Sequence, residues 1–237
     1  MSFAPSSRTR EKAMPTITAA VQERATVPEE QHFLLHNVDW ETYRKIAEAL
    51  TGRHVRLSYD RGRLEFMTIS FLHSRISRLI GTLVQVLTEE LGLPFCPCGD
   101  MTCEREDLER ALESDEGFYI ESEPRIRHRD AIDLAVDPPP DLAVEVEVSR
   151  SAKRRMGIYA ALRVPEVWRC DGEHVIIHQL GPDGQYAIVE RSPHFPILAA
   201  EDLVRFLKLR TQVDSNTLVK QFREWVREQI RSGGKQP

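Results

Sequence analysis

The sequence contains no long apolar run, few cysteines and no excess of positive charge. No stretch of the 237 residues approaches the length of a membrane span, and the N-terminal region lacks the apolar block of a secretory signal. These absences predict a cytoplasmic protein with no membrane partner. Four cysteines in a chain of this length do not make a disulfide framework. The net charge of −5 gives no overall attraction to nucleic acid, so DNA binding would need a local basic patch.

The composition is that of a globular domain with an appendage at each end. Hydrophobic residues make up 41% of the chain and charged residues 29%, and a chain of this length can bury a self-sufficient core. Residues 1–31 are polar without a sustained hydrophobic period, which predicts a poorly ordered segment. Residues 32–210 form the predicted domain, and residues 211–237 hold a periodic amphipathic helix.

Local signals predict both helices and strands. Asp39 can cap a helix that ends at Gly52, and Ser70 precedes a long helix that ends at Gly92. Between these helices, "HVRLSYD" and "GRLEFMTIS" predict a β-hairpin. The expected elements that follow are short strands near 95–98, 101–105 and 116–120, a long strand at 142–148, a helix at about 151–162, and strands in "VPEVWRC", "HVIIHQL" and "YAIVE". This order predicts a mixed α/β fold with helices packed against a sheet.

The stretch "DPPPDLAVEVEVSRSAKRR" at 137–155 carries the strongest chemical signal. Glu145 and Glu147 interrupt an apolar strand, and because they are two residues apart they project from the same face. A buried carboxylate without a partner is costly, so this strand needs a compensating cation. The basic cluster at residues 153–155 could supply it, or a bound metal ion could.

A second acidic group, Asp115 with Glu116, opens the strand in "ESDEGFYI". Asp141 also lies at the entrance of the long strand, in register with Glu145. If the two strands are neighbours, a carboxylate from each meets at one end of the sheet. Hard cations such as Mg²⁺ take oxygen ligands and keep several waters, so two carboxylates suffice to bind one. A metal held there can activate a water against a phosphodiester.

These residues also carry a resemblance to a known family. An Asp that opens one strand, a Glu on a later strand and a basic residue close behind resemble the PD-(D/E)XK nuclease pattern. The blocks "SFLHSRI", "ESDEGFYI", "PPPDLAVEVEVS" and "IYAALRVPEVWRCDG", in this order, resemble the restriction-endonuclease-like Uma family of bacteria over about residues 32–190. The resemblance implies a central mixed sheet flanked by helices and a DNA endonuclease that uses Mg²⁺ or Mn²⁺.

The resemblance assigns roles to individual residues. Asp115 and Glu145 would be the metal-binding acids, and His73 would face the site from the head of the long helix. The superfamily's lysine position is occupied by Glu147, and the cation of Uma-like sequences comes from the following helix, where this chain has Arg155. Lys153 lies two residues earlier. Because Arg stays protonated, proton removal would fall to a metal-bound water, to Glu147 or to Lys153.

Several alternatives remain open from the sequence. The basic residues Arg150, Lys153, Arg154 and Arg155 suit a phosphate backbone, with "RIRHR" at 125–129 as a second patch, but a charge run is by default a solvated helix face. The departures from the superfamily pattern also suit a relative that binds DNA or a protein without cleaving. Cys96, Cys98 and Cys103 suggest zinc, although one residue between the first two is short for a zinc pair.

Two further expectations concern packing and assembly. Tyr159, Val164 and Trp168 are expected to pack the helix against the next strand. The terminal helix buries an apolar stripe either on its own domain or on a second copy of the chain. A homodimer would suit a nuclease that cuts both strands of a duplex.

Overall fold

The structure is a computed structural model that describes residues 30–99, 101–147 and 155–233. The predictions for residues 1–29, and for Arg150, Lys153 and Arg154, lie outside these ranges. The strands are β1 (His32–His36), β2 (Val55–Asp60), β3 (Arg63–Thr68), β4 (Cys96–Pro97), β5 (Thr102–Arg105), β6 (Arg110–Glu113), β7 (Glu116–Tyr119), β8 (Leu142–Val146), β9 (Glu166–Cys170), β10 (Val175–Leu180) and β11 (Tyr186–Val189). The helices are α1 (Trp40–Leu50), α2 (Phe71–Leu91), α3 (Glu123–Ile126), α4 (Arg155–Leu162), α5 (Ala200–Lys208) and α6 (Ser215–Gly233).

The strands form two sheets. The first is antiparallel with the order β1-β3-β2-β6-β5, and the second has the order β11-β10-β9-β8-β7-β4. In the second sheet, β8 and β9 pair in parallel while the other pairs are antiparallel. Parallel neighbours need a crossover connection. Helix α4 lies on that connection, so the fold places it directly after the acidic strand β8.

Three apolar clusters hold these layers together. Helices α2, α5 and α6 cover one face of the second sheet through residues that include Leu83, Val144, Trp168, Leu203 and Phe222. Helix α4 packs between the two sheets through residues that include Leu112, Ala143, Ile158, Tyr159 and Val167. Helix α1 packs on the first sheet through residues that include Tyr43, Leu57, Tyr59 and Leu64. Because α4 is sandwiched, its side chains reach residues of both sheets.

The predicted helix boundaries rest on local chemistry that the structure retains. The Asp39 carboxylate accepts a hydrogen bond from the Thr42 amide at 2.7 Å and caps α1. The Ser70 hydroxyl accepts from the His73 amide at 3.1 Å and caps α2. Gly92 ends α2 with φ = 65°, a left-handed conformation that favours glycine. The hairpin between α1 and α2 is also present, as β2 and β3.

Other elements were not predicted. Strand β1 is an edge strand with the sequence "HFLLH", which shows no alternation, and β6 is only four residues long. Helix α5 was missed as well, although its first turn is capped by Asp202, which accepts from the Ala199 amide at 3.0 Å.

The terminal helix α6 packs against α2 of its own chain, with Arg223 paired to Glu89 and Glu90. None of the described helices combines the length and the apolarity needed to cross a bilayer.

A buried His–Glu pair at the start of β9 makes stability depend on pH. The Glu166 carboxylate is fully buried and receives the Trp168 indole N–H at 2.5 Å and His194 Nδ1 at 2.5 Å. Burial lowers the pKa of His194, but the hydrogen bond to Glu166 and its negative charge outweigh burial and raise that pKa above 6.5. A raised folded-state pKa stabilises the fold below the unfolded pKa, and this contribution disappears as the pH rises through the folded pKa.

Replacing His194 by Gln is therefore expected to destabilise the protein more at pH 5.5 than at pH 9. At the lower pH we expect a loss of about 2 kcal/mol, the value of a hydrogen bond to a charged group. Urea unfolding at both pH values measures this difference. The exposed His128→Gln variant is the matched control. An equal effect of His194→Gln at both pH values would contradict the assignment.

Candidate functional site

Asp115 and Glu145 lie close together where β7 begins and β8 ends. In the β7–β8 ladder, Glu116 is opposite Val144 and Gly117 is opposite Ala143, so Asp115 directly precedes the paired residues of β7 and Glu145 directly follows Val144 on β8. Besides burial, the negative charge of Asp115 raises the pKa of Glu145, so the two carboxylates are near neighbours. Two hydrogen bonds hold Asp115 against β8. The Asp115 amide donates to the Val144 carbonyl at 3.2 Å, and the Val146 amide donates to Asp115 Oδ2 at 2.7 Å.

The two oxygens of Asp115 have different environments. Oδ2 is held by the Val146 amide, whereas Oδ1 lies 2.9 Å from His73 Nε2 and 3.9 Å from Arg56 Nε. The 2.9 Å contact is close, but its geometry is not that of an aligned hydrogen bond, and within the described ranges Asp115 Oδ1 and His73 Nε2 receive none. Oδ1 is thus a buried carboxylate oxygen with coordination capacity left.

His73 links Asp115 to a third acid. His73 Nδ1 lies 2.8 Å from Glu30 Oε1, and both side chains are almost completely buried. Burial lowers the pKa of His73, but the close contacts with the Asp115 and Glu30 carboxylates and their negative charges outweigh burial and raise the pKa to about 9. The imidazole is accordingly a protonated bridge between two carboxylates, held at the first turn of α2.

Arg155 is the cation that compensates Glu145. Arg155 Nε lies 3.1 Å from Glu145 Oε2, and the side chains are 6% and 2% exposed. Burial raises the pKa of Glu145, and the guanidinium opposes that rise. Arg155 also donates to the Glu113 carbonyl, which fixes the guanidinium beside the acid. The Tyr159 hydroxyl, one turn further along α4, donates to Glu145 Oε1.

Glu147 faces the same side of the strand as Glu145, but it forms an ion pair with a different arginine. Arg169 on β9 donates to both oxygens of Glu147, at 2.6 Å and 3.0 Å. A cavity of about 10 Å³ is lined by Glu145, Glu147 and Arg155, together with residues of the first sheet. A cavity of this size holds a single water molecule. Glu147 thus adjoins the acid pair while its charge is neutralised by Arg169.

The structure places other predicted residues away from the acid pair. The Asp141 carboxylate accepts from the amides of Ile120 and Ser122 at 2.6 Å and 2.8 Å, so it ties down the loop after β7. Glu116 points to the opposite face, where Arg78 NH1 lies 3.7 Å from it. The second candidate patch, at 125–129, is partly neutralised by local ion pairs, Arg127 with Glu123 and Arg129 with Asp137.

Sequence reasoning missed four contributors to this site. Tyr159 was interpreted as packing alone, although its position one turn after Arg155 puts both side chains on one helix face. Arg56, Glu30 and Arg169 gave no local signal. Their contacts depend on how distant segments come together, which spacing along the chain does not reveal.

The donor set fits a hard divalent cation better than zinc. Across the described ranges, no group of three or more Asp, Glu, His or Cys side chains is arranged to coordinate a metal ion. Burial raises the pKa of the Cys98 thiol and raises that of Cys103 to about 12, which disfavours the thiolates that zinc binds. Mg²⁺ needs only one or two carboxylates together with waters and substrate phosphate oxygens. Asp115 Oδ1, which lacks an aligned hydrogen bond, and the adjacent Glu145 meet that need.

A mixed sheet with acids on two neighbouring strands, and a basic residue from the following helix, is the arrangement expected of a restriction-endonuclease-like protein. The comparison with family models is specific: the Uma2 family, described as "Putative restriction endonuclease", matches residues 40–214. The match covers well over half of the chain, and the chain belongs to the Uma2 family. This confirms the family resemblance drawn from the sequence blocks.

The comparison with solved structures finds three matching chains. One is described as a "putative nuclease belonging to DUF820" from Anabaena variabilis ATCC 29413; it is 16% identical, with a TM-score of 0.43, and the alignment covers 64% of this chain and 90% of that one. No curated protein matches.

Proposed function

We propose that this protein is a metal-dependent endonuclease that hydrolyses DNA phosphodiester bonds with Mg²⁺ or Mn²⁺. The observation that carries the proposal is the proximity of Asp115 and Glu145, two buried carboxylates held where β7 begins and β8 ends. Membership of the Uma2 family supports the same reaction class. The DNA substrate, the metal and a homodimeric assembly belong to the proposal.

Each side chain of the site has a proposed role in this reaction. Asp115 Oδ1 and Glu145 would hold the ion, which supplies Lewis-acid polarisation of the phosphodiester and a water of lowered pKa. Glu30 holds His73 at Nδ1, and His73 Nε2 contacts Asp115, so that His73 orients the Asp115 carboxylate. Arg155 provides a fixed positive charge beside the site and stabilises the negative charge that develops on the phosphate. Since Arg155 does not lose its proton, the proton of the attacking water would pass to solvent, to Glu147 or to Lys153, which lies outside the described residues.

The wild-type protein is expected to nick or linearise supercoiled plasmid DNA in Mg²⁺ or Mn²⁺ and to be inactive in EDTA. The physical reason is that the proposed reaction depends on a metal ion to polarise the phosphodiester and to lower the pKa of the attacking water. Gel electrophoresis of a time course measures the reaction. Cleavage that persists in EDTA, or no cleavage with either ion, would contradict the proposal.

A specific observation favours a second candidate, a nucleic-acid-binding protein that does not cleave. Arg155 already neutralises Glu145, and Arg169 already neutralises Glu147. A site whose charges are satisfied internally has less need of an ion. Salt-dependent DNA binding without cleavage in Mg²⁺ or Mn²⁺ would select this candidate.

A further inference from the structure

Two cavities of very different size adjoin the acid pair. The cavity beside Glu145 has a volume of about 10 Å³, enough for one water molecule. A second cavity, of about 180 Å³, adjoins Asp115 and is lined by residues that include Arg56, His73, Ser77, Arg78, Asp115 and Glu116. A phosphodiester group cannot enter the smaller cavity as it stands. The larger one offers the route by which a substrate can reach Asp115.

The larger cavity has the chemistry of a phosphate site. Arg78 stands at its rim, with a side chain that is 84% exposed and therefore in contact with solvent. Arg56 stands deeper, with a side chain that is 15% exposed, 3.9 Å from Asp115 Oδ1. Guanidinium groups bind phosphate oxygens through paired N–H donors. The hydroxyls of Ser74 and Ser77 add short polar groups along the same wall.

The exposed Arg78 can take a phosphate oxygen as a partner. Arg78 NH1 lies 3.7 Å from Glu116 Oε1. This distance exceeds the 2.7–2.9 Å that is usual for a charge-assisted hydrogen bond, so a phosphate oxygen can form a shorter contact with Arg78. Because the Arg78 side chain is 84% exposed, its guanidinium is free to turn towards a bound phosphate.

We propose that this cavity, between the first two turns of α2 and the start of β7, receives the DNA phosphodiester backbone, with Arg78 and Arg56 as phosphate-binding residues. The inference rests on the proposed nuclease function and adds the side from which DNA approaches. DNA reaches Asp115 from α2 and not through the α4 side, where Arg155 and Tyr159 enclose Glu145. Arg78 makes the outer contact with the backbone, and Arg56 contacts the phosphate beside Asp115.

The test compares Arg78→Gln with a matched control, Arg231→Gln. Arg231 is exposed on α6 and lines a cleft with Glu90, which lies twelve residues beyond Arg78 on α2, or about 18 Å at 1.5 Å per residue. Fluorescence anisotropy with a short DNA duplex in Ca²⁺ measures binding separately from cleavage. For Arg78→Gln we expect the apparent Kd to rise about five- to tenfold at 0.1 M salt, and the slope of log affinity against log salt to fall by about one. For Arg231→Gln we expect no change.

Arg56→Gln is the second variant, and its thermal unfolding is measured in parallel because the side chain is largely buried. A folded Arg56→Gln protein with weaker DNA binding supports the deep contact. Equal binding by Arg78→Gln and Arg231→Gln, or no DNA binding by the wild type, overturns the proposal. If the wild type binds DNA through Arg78 but does not cleave it, the cavity proposal stands and the nuclease proposal fails. If cleavage occurs and Arg78→Gln binds and cleaves like the wild type, only the cavity proposal fails.

Discussion

Replacing Glu145 by Ala is expected to lower the free energy of unfolding by about 3–5 kcal/mol, because it leaves the buried Arg155 guanidinium without its carboxylate. The Tyr159 hydroxyl loses its acceptor in the same variant. Chemical denaturation at neutral pH measures the change. The Glu41→Ala variant is the matched control, since Glu41 pairs with Lys45 on the exposed face of α1 and should contribute less than about 1 kcal/mol.

A double-mutant cycle then separates the ion pair from packing. The double variant Glu145→Ala with Arg155→Ala is expected to lose less stability than the sum of the two single variants, because neither residue leaves the other unpaired. Additive losses would show that the two residues do not interact energetically. A loss for Glu145→Ala no larger than that for Glu41→Ala would contradict the burial of a charged pair at this position.

Replacing Asp115 by Asn is expected to reduce DNA cleavage at least about 100-fold, which is typical when one electrostatic contributor to a reaction site is removed. An amide is a poorer ligand than a carboxylate for a hard cation, and the neutral side chain no longer balances His73. Its remaining carbonyl can still accept from the Val146 amide, so the fold should persist. Single-turnover plasmid cleavage in Mn²⁺ gives the rate, and calorimetric titration with Mn²⁺ gives the loss of ion binding.

The matched control for this prediction is Asp107→Asn. Asp107 is exposed and paired with Arg105 at 2.6 Å, outside the acid pair and its cavities. The Asp107→Asn variant should cleave DNA at the wild-type rate. Wild-type cleavage by Asp115→Asn would remove Asp115 from the reaction and, with it, the proposed metal site.

Local chemistry in the sequence predicted much of the fold. The caps Asp39 and Ser70 and the terminator Gly92 act within a few residues, so α1 and α2 could be placed from the sequence alone. Strand β1 could not, because an edge strand with the sequence "HFLLH" lacks the alternation that marks a half-buried strand. Nor did the sequence indicate that the strands divide between two sheets.

The candidate site was predictable only in part, for a similar reason. The family resemblance singled out Asp115, Glu145, His73 and Arg155, and the structure brings these four residues together, while their roles stay predictions. Pairing between distant segments was not predictable. Arg169 neutralises Glu147 because β9 lies parallel to β8, and no feature of either strand alone reveals that register.

The two sheets meet at the acid pair. Asp115 belongs to the segment that leads into the second sheet, whereas Arg56 comes from the first, and α4 lies between the layers while it carries Arg155. The assembled site is consequently a tertiary property, because Arg56 reaches Asp115 only when the first sheet packs on the second. A partly folded chain with the first sheet undocked would keep the Arg155–Glu145 pair but lose Arg56 beside Asp115, and so would carry less positive charge around its acids.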